Sequence, residues 1–204
     1  MTDHDEHDEH DEIAEFFDNL SVADFLEDRA GAMRFALDSI PSGLDFDKFF
    51  AGNIHTVRIS YLAANGMINP IAMLCNGTSM YAYRPTNTED MGEYVKRLAS
   101  EARELRAKWL FISRKGAVAT TRVSADEMPE IDSTTALSQA RAAGGVHEGV
   151  VYYAERFEDG EKDIRFGMMQ EDEGWQLGDP IAGSPAHQAY PLFANILPGE
   201  SERQ

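Results

Sequence analysis

The sequence has little cysteine and no long apolar run, and these absences limit the kind of protein it can encode. Its single cysteine, Cys75, excludes a disulfide within the chain and a metal site built from several thiolates of one chain. No stretch of 18 or more apolar residues is present. The chain starts with anionic residues, whereas a secretory signal peptide starts with cationic ones. The sequence therefore predicts a cytoplasmic protein with no membrane partner.

Motifs that carry familiar chemistry are also missing. The chain contains no GxGxxG or GxxxxGK[ST] phosphate-binding loop, no GxSxG nucleophile turn and no HExxH zinc motif. His147 is followed by Glu148, but the paired cysteines of a zinc deaminase do not follow them. No cofactor is therefore expected, and the sequence favours a non-enzymatic protein over an enzyme.

Positive charge is absent from the start of the chain. Residues 1–28 contain 12 acidic residues and no lysine or arginine, so the other 24 acidic residues and all 18 basic residues lie further on. The formal net charge of −18 is thus largely an N-terminal property. Nucleic acid is not an expected partner, because phosphate binding needs clustered basic residues. One alternative is an acidic inhibitor that imitates nucleic acid, although such a decoy needs its charges on a rigid surface.

The acidic segment contains the triplet HDE three times in succession. Residues 1–12 have no apolar residue after Met1, so we expect a disordered acidic tail. His4, His7 and His10 recur every three residues, and imidazole nitrogen atoms are ligands for divalent metals. Because no apolar neighbours would orient the rings, the tail is predicted to bind a divalent metal weakly or to be solvated without a ligand.

Apolar residues then appear within the acidic region, at Phe16, Phe17 and Leu20. Aromatic residues interleaved with acidic ones are typical of a segment that folds on a basic or apolar partner. The main hypothesis is therefore a binding or adaptor protein that contacts a protein partner, of a host or of a phage. These three residues are its predicted binding residues, and the sequence leaves the oligomeric state open.

Residues 13–204 are predicted to form one α+β domain with an antiparallel sheet. Apolar residues at helical spacing predict an N-terminal helix from about Val22 to Ser39, and Asp45 is predicted to cap a short helical turn ended by Gly52. The period then changes to two, and a three-stranded meander is predicted at IHTVRISYL, MINPIAMLC and TSMYAYR. Asn65–Gly66 supplies its first turn.

The strongest helical pattern follows the meander. Thr86 and Glu89 have capping-box spacing, and one continuous apolar face is centred on Leu98. We expect this long amphipathic helix to pack across the sheet. Arg97 is expected to lie on its exposed side.

Further strands are predicted towards the C-terminus. WLFIS and AVATTRV form a strand pair that turns at Arg114–Gly116, and GVVYYAERFEDGEKDIRFGMM is a hairpin that turns at Asp159–Gly160. Glu173–Gly174 is a further turn. Residues 124–149 form either a lid or a variable insertion, and the sequence does not distinguish the two.

The order from TVRISYLAANGMINPIAML through YVKRLASEARELRAKWLFIS to VVYYAERFEDGEKDIRFGMM resembles a group of uncharacterised small bacterial, archaeal and phage α+β proteins. The shared plan is a hairpin, a helix, an apolar strand and a last hairpin with an Asp–Gly turn, and it covers about residues 54–178. The resemblance implies no activity, and Arg114 stands where an acidic residue is expected. The plan is also similar to that of type III secretion chaperones, from which the elements after Ser124 depart.

An alternative to the binding protein is a small enzyme whose site joins residues distant in the sequence. His55, Cys75 and His147 are the candidates, because imidazole and thiol groups act as acids, bases or nucleophiles near neutral pH. In the structural interpretation, the two histidines are surface or partly buried residues and Cys75 is a small buried apolar residue. Convergence of the three side chains in one pocket would favour the enzyme.

Overall fold

A computed structural model describes residues 12–19, 34–37, 40–86, 88–119, 146–158, 160–182 and 196–197. Within these ranges the chain forms helices and an antiparallel sheet, which confirms the predicted α+β class. The predicted tail lies outside them, apart from Glu12, which begins the first helix. The predicted lid or insertion also lies outside them, apart from residues 146–149, which belong to a strand.

In the part of the chain that the structure describes, the sheet has eight strands, and every pairing between them is antiparallel. In chain order they are β1 (Arg34–Leu37), β2 (Ile71–Cys75), β3 (Met80–Tyr83), β4 (Trp109–Ala119), β5 (Val146–Glu158), β6 (Glu161–Asp172), β7 (Gln176–Leu177) and β8 (Ile181–Ala182). Across the sheet their order is β1-β3-β2-β4-β5-β6-β7, and β8 also pairs with β6. The long central strands β4 and β5 each contribute buried residues to two hydrophobic cores, one on each face of the sheet.

The described helices are α1 (residues 12–19), α2 (Phe46–Ala63) and α3 (Met91–Glu104). Side chains on successive residues of a strand point to opposite faces, so Met73 belongs to the core with α1 and α2, whereas Ala72 and Leu74 belong to the core with α3. The sheet thus lies between two helical layers. No helix in these parts of the chain is long and apolar enough to cross a membrane.

Helix α2 corrects the prediction of a strand at IHTVRISYL, so the meander loses its first strand. The segment is rich in β-branched residues, which favour strands. However, Ile54, Val57 and Tyr61 are spaced by three and four residues, and all three are buried in the core with the sheet. Burial on one helical side therefore outweighs the local preference for a strand.

Both ends of α2 use residues that the sequence analysis singled out, and only the residues at its C-terminal end were given a different role there. Asp45 is the N-cap, as predicted, and its carboxylate accepts a hydrogen bond from the Lys48 N–H at 2.8 Å. The helix does not end at Gly52 but continues to Ala63. Asn65 and Gly66 have positive φ angles of 50° and 77°, as a type I′ turn needs, but here they terminate a helix.

The N-terminal helix predicted from Val22 to Ser39 is wrong in its last part. Arg34–Leu37 form β1, which pairs with β3 from Arg34 opposite Tyr83 to Leu37 opposite Met80. The ladder of hydrogen bonds to a neighbouring strand overrides the helical spacing of apolar residues. Residues 22–33, 38 and 39 of the predicted helix lie outside the described residues.

Helix α3 confirms the predicted amphipathic helix, with Tyr94, Val95, Leu98 and Ala102 buried. It begins later than expected, because the capping box is formed by Asp90 and Glu93. The predicted pair does form a contact, since the Thr86 N–H donates to Oε2 of Glu89 at 3.1 Å. That contact organises the turn before the helix and does not cap it.

Arg97 is not the exposed residue that the sequence predicted. Its guanidinium donates to both carboxylate oxygens of Glu89 and to the carbonyl of Arg84, each at 2.8 Å. It also lies 5.4 Å from the ring centroid of Tyr94, and its side chain is 25% exposed. The hydrogen bond from Arg97 is the main cause that holds the pKa of Glu89 below its usual value.

In the second half of the sheet, one predicted turn is wrong and two are confirmed. The turn predicted at Arg114–Gly116 is absent, because β4 is continuous and Gly116 pairs with Gly149 of β5. The hairpin between β5 and β6 is confirmed, with a φ angle of 79° at Gly160. The turn at Glu173–Gly174 is also confirmed, and it joins β6 to β7.

Candidate functional site

A small pocket lies beside α1, and we call it the acidic pocket. Its volume is about 210 Å³. It is lined by Glu12, Glu15, Phe16 and Asn19 of α1 and by Ile40 and Pro41 of the segment before α2. Three apolar side chains and two carboxylates therefore line the pocket.

The helical period of α1 explains how one short helix lines the pocket and also joins the core. Ile13 and Phe17 are four residues apart on one side of the helix, and they are 6% and 1% exposed. Glu12, Glu15 and Phe16 lie on the neighbouring side, where both carboxylates are exposed and the aromatic ring is partly buried. One side of α1 thus anchors the helix, and the other remains open to a ligand.

The anchored side of α1 rests on α2 at Gly52. The Phe17 ring lies so close that a Cβ atom added to Gly52 would be 2.2 Å from Cδ2 of Phe17. The Thr56 hydroxyl donates to the carbonyl of Phe17 at 3.3 Å. Nε2 of His55 lies 2.7 Å from a carboxylate oxygen of Asp18. We call Gly52, His55 and Thr56 the α1 seat.

The predicted partner-binding residues fall into different environments. Phe16 lines the acidic pocket and packs edge-on against Phe17, with ring centroids 5.3 Å apart. Phe17 is a core residue, so a partner would have to displace it to bind it. Leu20 lies outside the described residues. Their role in partner binding stays a prediction, and Phe16 is the one placed to fulfil it.

The candidate catalytic residues do not assemble into one site. His55 is exposed on α2 and pairs with Asp18, whereas Cys75 is 0% exposed in the core, so the two line no common pocket. Burial raises the pKa of the Cys75 thiol to about 11, which leaves it protonated and unreactive near neutral pH. His147 lies in β5, opposite Val118 of β4.

A polar cluster at the C-terminal end of α2 was not predicted. The buried Tyr61 hydroxyl donates to a carboxylate oxygen of Glu171. Nζ of Lys115 donates to the carbonyl of Gly66 at 3.0 Å and lies 3.8 Å from Glu171. The Trp175 ring covers Gly66, where an added Cβ would be 2.2 Å from Cε3 of the indole. These residues come from three segments that are far apart in the sequence, so no local spacing could reveal them.

The chemistry of this cluster is that of a structural contact. The pKa of Tyr61 is raised, first by burial and then by its hydrogen bond to Glu171, so the phenol stays protonated and acts as a hydrogen-bond donor and not as a base. Nζ of Lys115 lies 5.6 Å from the ring centroid of Tyr61 and 5.8 Å from that of Trp175. The cluster joins the end of α2 to β4, to β6 and to the turn before β7.

Metal ligation and likeness to known proteins add no further site. In the described ranges, no group of three or more His, Cys, Asp or Glu side chains could hold a metal ion. The predicted metal ligands His4, His7 and His10 lie outside those ranges. No family model, curated protein or solved structure matches the chain.

Proposed function

We propose that the protein is a non-enzymatic binding or adaptor protein that acts in the cytoplasm by holding a basic segment of a partner protein. The observation that carries this proposal is the acidic pocket. Phe16, Ile40 and Pro41 offer an apolar surface, while Glu12 and Glu15 add two carboxylates to the lining. A peptide with one apolar side chain flanked by lysine or arginine complements both features.

The sequence next to α1 favours the same kind of partner. Residues 1–11 contain six acidic residues and no basic one, and in the sequence they directly precede Glu12 and Glu15 of the pocket lining. A surface of one sign attracts ligands of the other sign and raises their rate of association. The interaction should therefore weaken as salt is added.

The size of the pocket favours a peptide anchor over a small-molecule substrate. Pockets for cofactors and drug-sized ligands typically enclose roughly 300–1,000 Å³. The acidic pocket, at about 210 Å³, suits a single side chain of a longer ligand. The small enzyme remains the alternative proposal, but the buried and protonated Cys75 does not support it.

Two labelled peptides of equal length test the proposed function by fluorescence anisotropy. One has the sequence Lys-Lys-Leu-Phe-Lys-Lys, and the other has glutamate in place of every lysine. We expect the full chain to bind only the basic peptide, and more weakly at high salt. Phe16→Ser should weaken binding at unchanged net charge, because it removes the aromatic ring from the apolar lining of the pocket.

A charge-matched pair of variants separates the pocket from the overall charge. Glu12→Gln with Glu15→Gln should weaken binding about three- to tenfold. Glu104→Gln with Glu161→Gln removes two exposed carboxylates elsewhere and should have little effect. Equal losses in both pairs would mean non-specific attraction to an acidic protein. If neither peptide binds, the proposed function is wrong.

A further inference from the structure

The described part of helix α1 is not expected to be a stable helix by itself. It has eight described residues, whereas isolated helices shorter than about 12–15 residues are marginal in water. Its carboxylates Glu12, Glu15 and Asp18 also repel one another and the acidic residues that precede them. The helix therefore depends on its contacts with the rest of the domain.

Those contacts converge on the α1 seat. Phe17 provides the buried aromatic ring, and this ring fits only because residue 52 has no side chain. The bond from Thr56 is buried and the pair between His55 and Asp18 is exposed, and each is a single polar contact in the same interface. Single hydrogen bonds and exposed ion pairs contribute little compared with burial of an aromatic ring. Docking thus depends mainly on the fit of Phe17 over Gly52, together with burial of Ile13.

The acidic pocket depends on the same docking event. Four of its lining residues belong to α1, and the other two, Ile40 and Pro41, precede α2. If α1 left its seat, the carboxylates and Phe16 would leave together, and only one wall would remain. Folding of α1, its docking and completion of the pocket are therefore coupled.

We propose that α1 is a latch, which is helical and docked only while Phe17 lies over Gly52, and that the acidic pocket exists only in the latched state. This inference rests on the proposed function in its second half, since it states how the same pocket is switched on and off. A basic ligand binds the latched state and so stabilises it. Conversely, release of the latch abolishes binding without unfolding the sheet.

Gly52→Ala in the full chain tests the latch. Alanine is a better helix former than glycine, so the variant should keep α2 and the sheet folded while its methyl group displaces Phe17. Gly92→Ala is the matched control, because Gly92 also lies in a helix and an added Cβ there meets only the side chain of Asp90, at 3.2 Å. Phe17→Ala, which removes the ring itself, is a second way to release the latch.

Hydrogen exchange and binding of the Lys-Lys-Leu-Phe-Lys-Lys peptide are the two measurements. In the wild type, amides of residues 13–19 should be protected, and the peptide should slow their exchange further. Gly52→Ala should speed their exchange and weaken peptide binding, each by about tenfold or more. Amides of β4 and β5 should be unaffected, and Gly92→Ala should change neither measurement.

The outcomes separate the latch from the proposed function. If residues 13–19 stay protected in both Gly52→Ala and Phe17→Ala, the latch is wrong. If protection is lost but the peptide binds as before, the pocket does not need docked α1, and the proposal is again overturned. If the wild type binds no peptide, the proposed function fails, while loss of protection confined to the two latch variants would still support a detachable α1.

Discussion

The two long helices, α2 and α3, pack on opposite faces of one sheet but are held there in different ways. Helix α3 buries four residues and begins with a capping box formed by its own residues. Helix α2 buries eight residues, three of them polar: Asn53, Thr56 and Ser60. Its buried surface is thus wider and less apolar, because it meets α1 on one flank as well as the sheet.

The ends of α2 show the same dependence on distant residues. At its start, Arg165 of β6 lies 2.5 Å from a carboxylate oxygen of Asp47 and 4.7 Å from the ring centroid of Phe46. At its end, Lys115 of β4 and Trp175 close over Gly66. Helix α3 is therefore specified mainly by local sequence, whereas α2 is specified mainly by long-range contacts. Four predictions test this difference between the two helices.

The largest effects should come from the buried side of each helix. Phe49 and Leu98 are both 0% exposed, and Phe49 also packs on Trp109 with ring centroids 5.6 Å apart. Phe49→Ala should cost about 3–5 kcal/mol of unfolding free energy, and Leu98→Ala about 2–5 kcal/mol. Urea denaturation measures both. Leu62→Ala, on the exposed side of α2, should cost less than about 0.5 kcal/mol, and an effect as large as that of Phe49→Ala would show that the side assigned to the core is wrong.

A smaller effect is expected where α3 does use a tertiary contact. Arg97→Ala should cost about 1–2 kcal/mol, because it leaves the carboxylate of Glu89 and the carbonyl of Arg84 without this donor. The neighbouring Lys96 is exposed, so Lys96→Ala should cost less than about 0.5 kcal/mol in the same denaturation experiment. Equal losses of unfolding free energy in the two variants would show that Arg97 contributes no more than a surface residue.

The contact between Arg97 and Glu89 should also make stability depend on pH. The pKa of Glu89 is lowered in the folded protein, so its stabilising effect is present above the usual value of 4.5 and is lost as pH falls through the lowered pKa. The difference in unfolding free energy between the wild type and Glu89→Gln should therefore shrink on acidification. Glu104→Gln, at an exposed position of α3, is the control. A difference independent of pH would exclude the ion pair as its source.

The smallest effect should appear in isolated peptides. Circular dichroism of a peptide of residues 88–106 should show more helix than one of residues 44–66, although the second contains the longer helix. The first keeps its capping box, and the second has many β-branched residues. Glu93→Ala should lower the helicity of the first peptide. If the second peptide is the more helical, α2 is encoded locally, and the comparison fails.

Local encoding also decides which parts of the fold the sequence predicts. The buried side of α3 and the hairpin between β5 and β6 were predicted correctly. Spacing and turn residues specify both of them without contacts from elsewhere in the chain. Gly52 was interpreted as a helix end, but it is a glycine because Phe17, far along the chain, occupies its side-chain position. Arg34–Leu37 is a strand because β3 lies beside it. Neither cause can be seen in a local window of sequence.

The candidate site shows the same limit. Acidic residues around Phe16 and Phe17 pointed to a binding segment, but the sequence did not distinguish Phe17, which is buried in the core, from Phe16, which lines the pocket. What the sequence could not indicate is the second wall of the pocket. Ile40 and Pro41 directly follow the helix that was predicted to end at about Ser39, and only the folded chain brings them next to α1.

The two tryptophans of the chain lie at opposite ends of α2, which makes the helix observable by its own fluorescence. Trp109 is 5% exposed and packs near Phe46 and Phe49 at the start, whereas Trp175 is 43% exposed and covers Gly66 at the end. The first indole should emit at shorter wavelength and resist aqueous quenchers, and the second should do the opposite. Single Trp→Phe variants would therefore show whether α2 melts as one unit or frays from one end, without an added label.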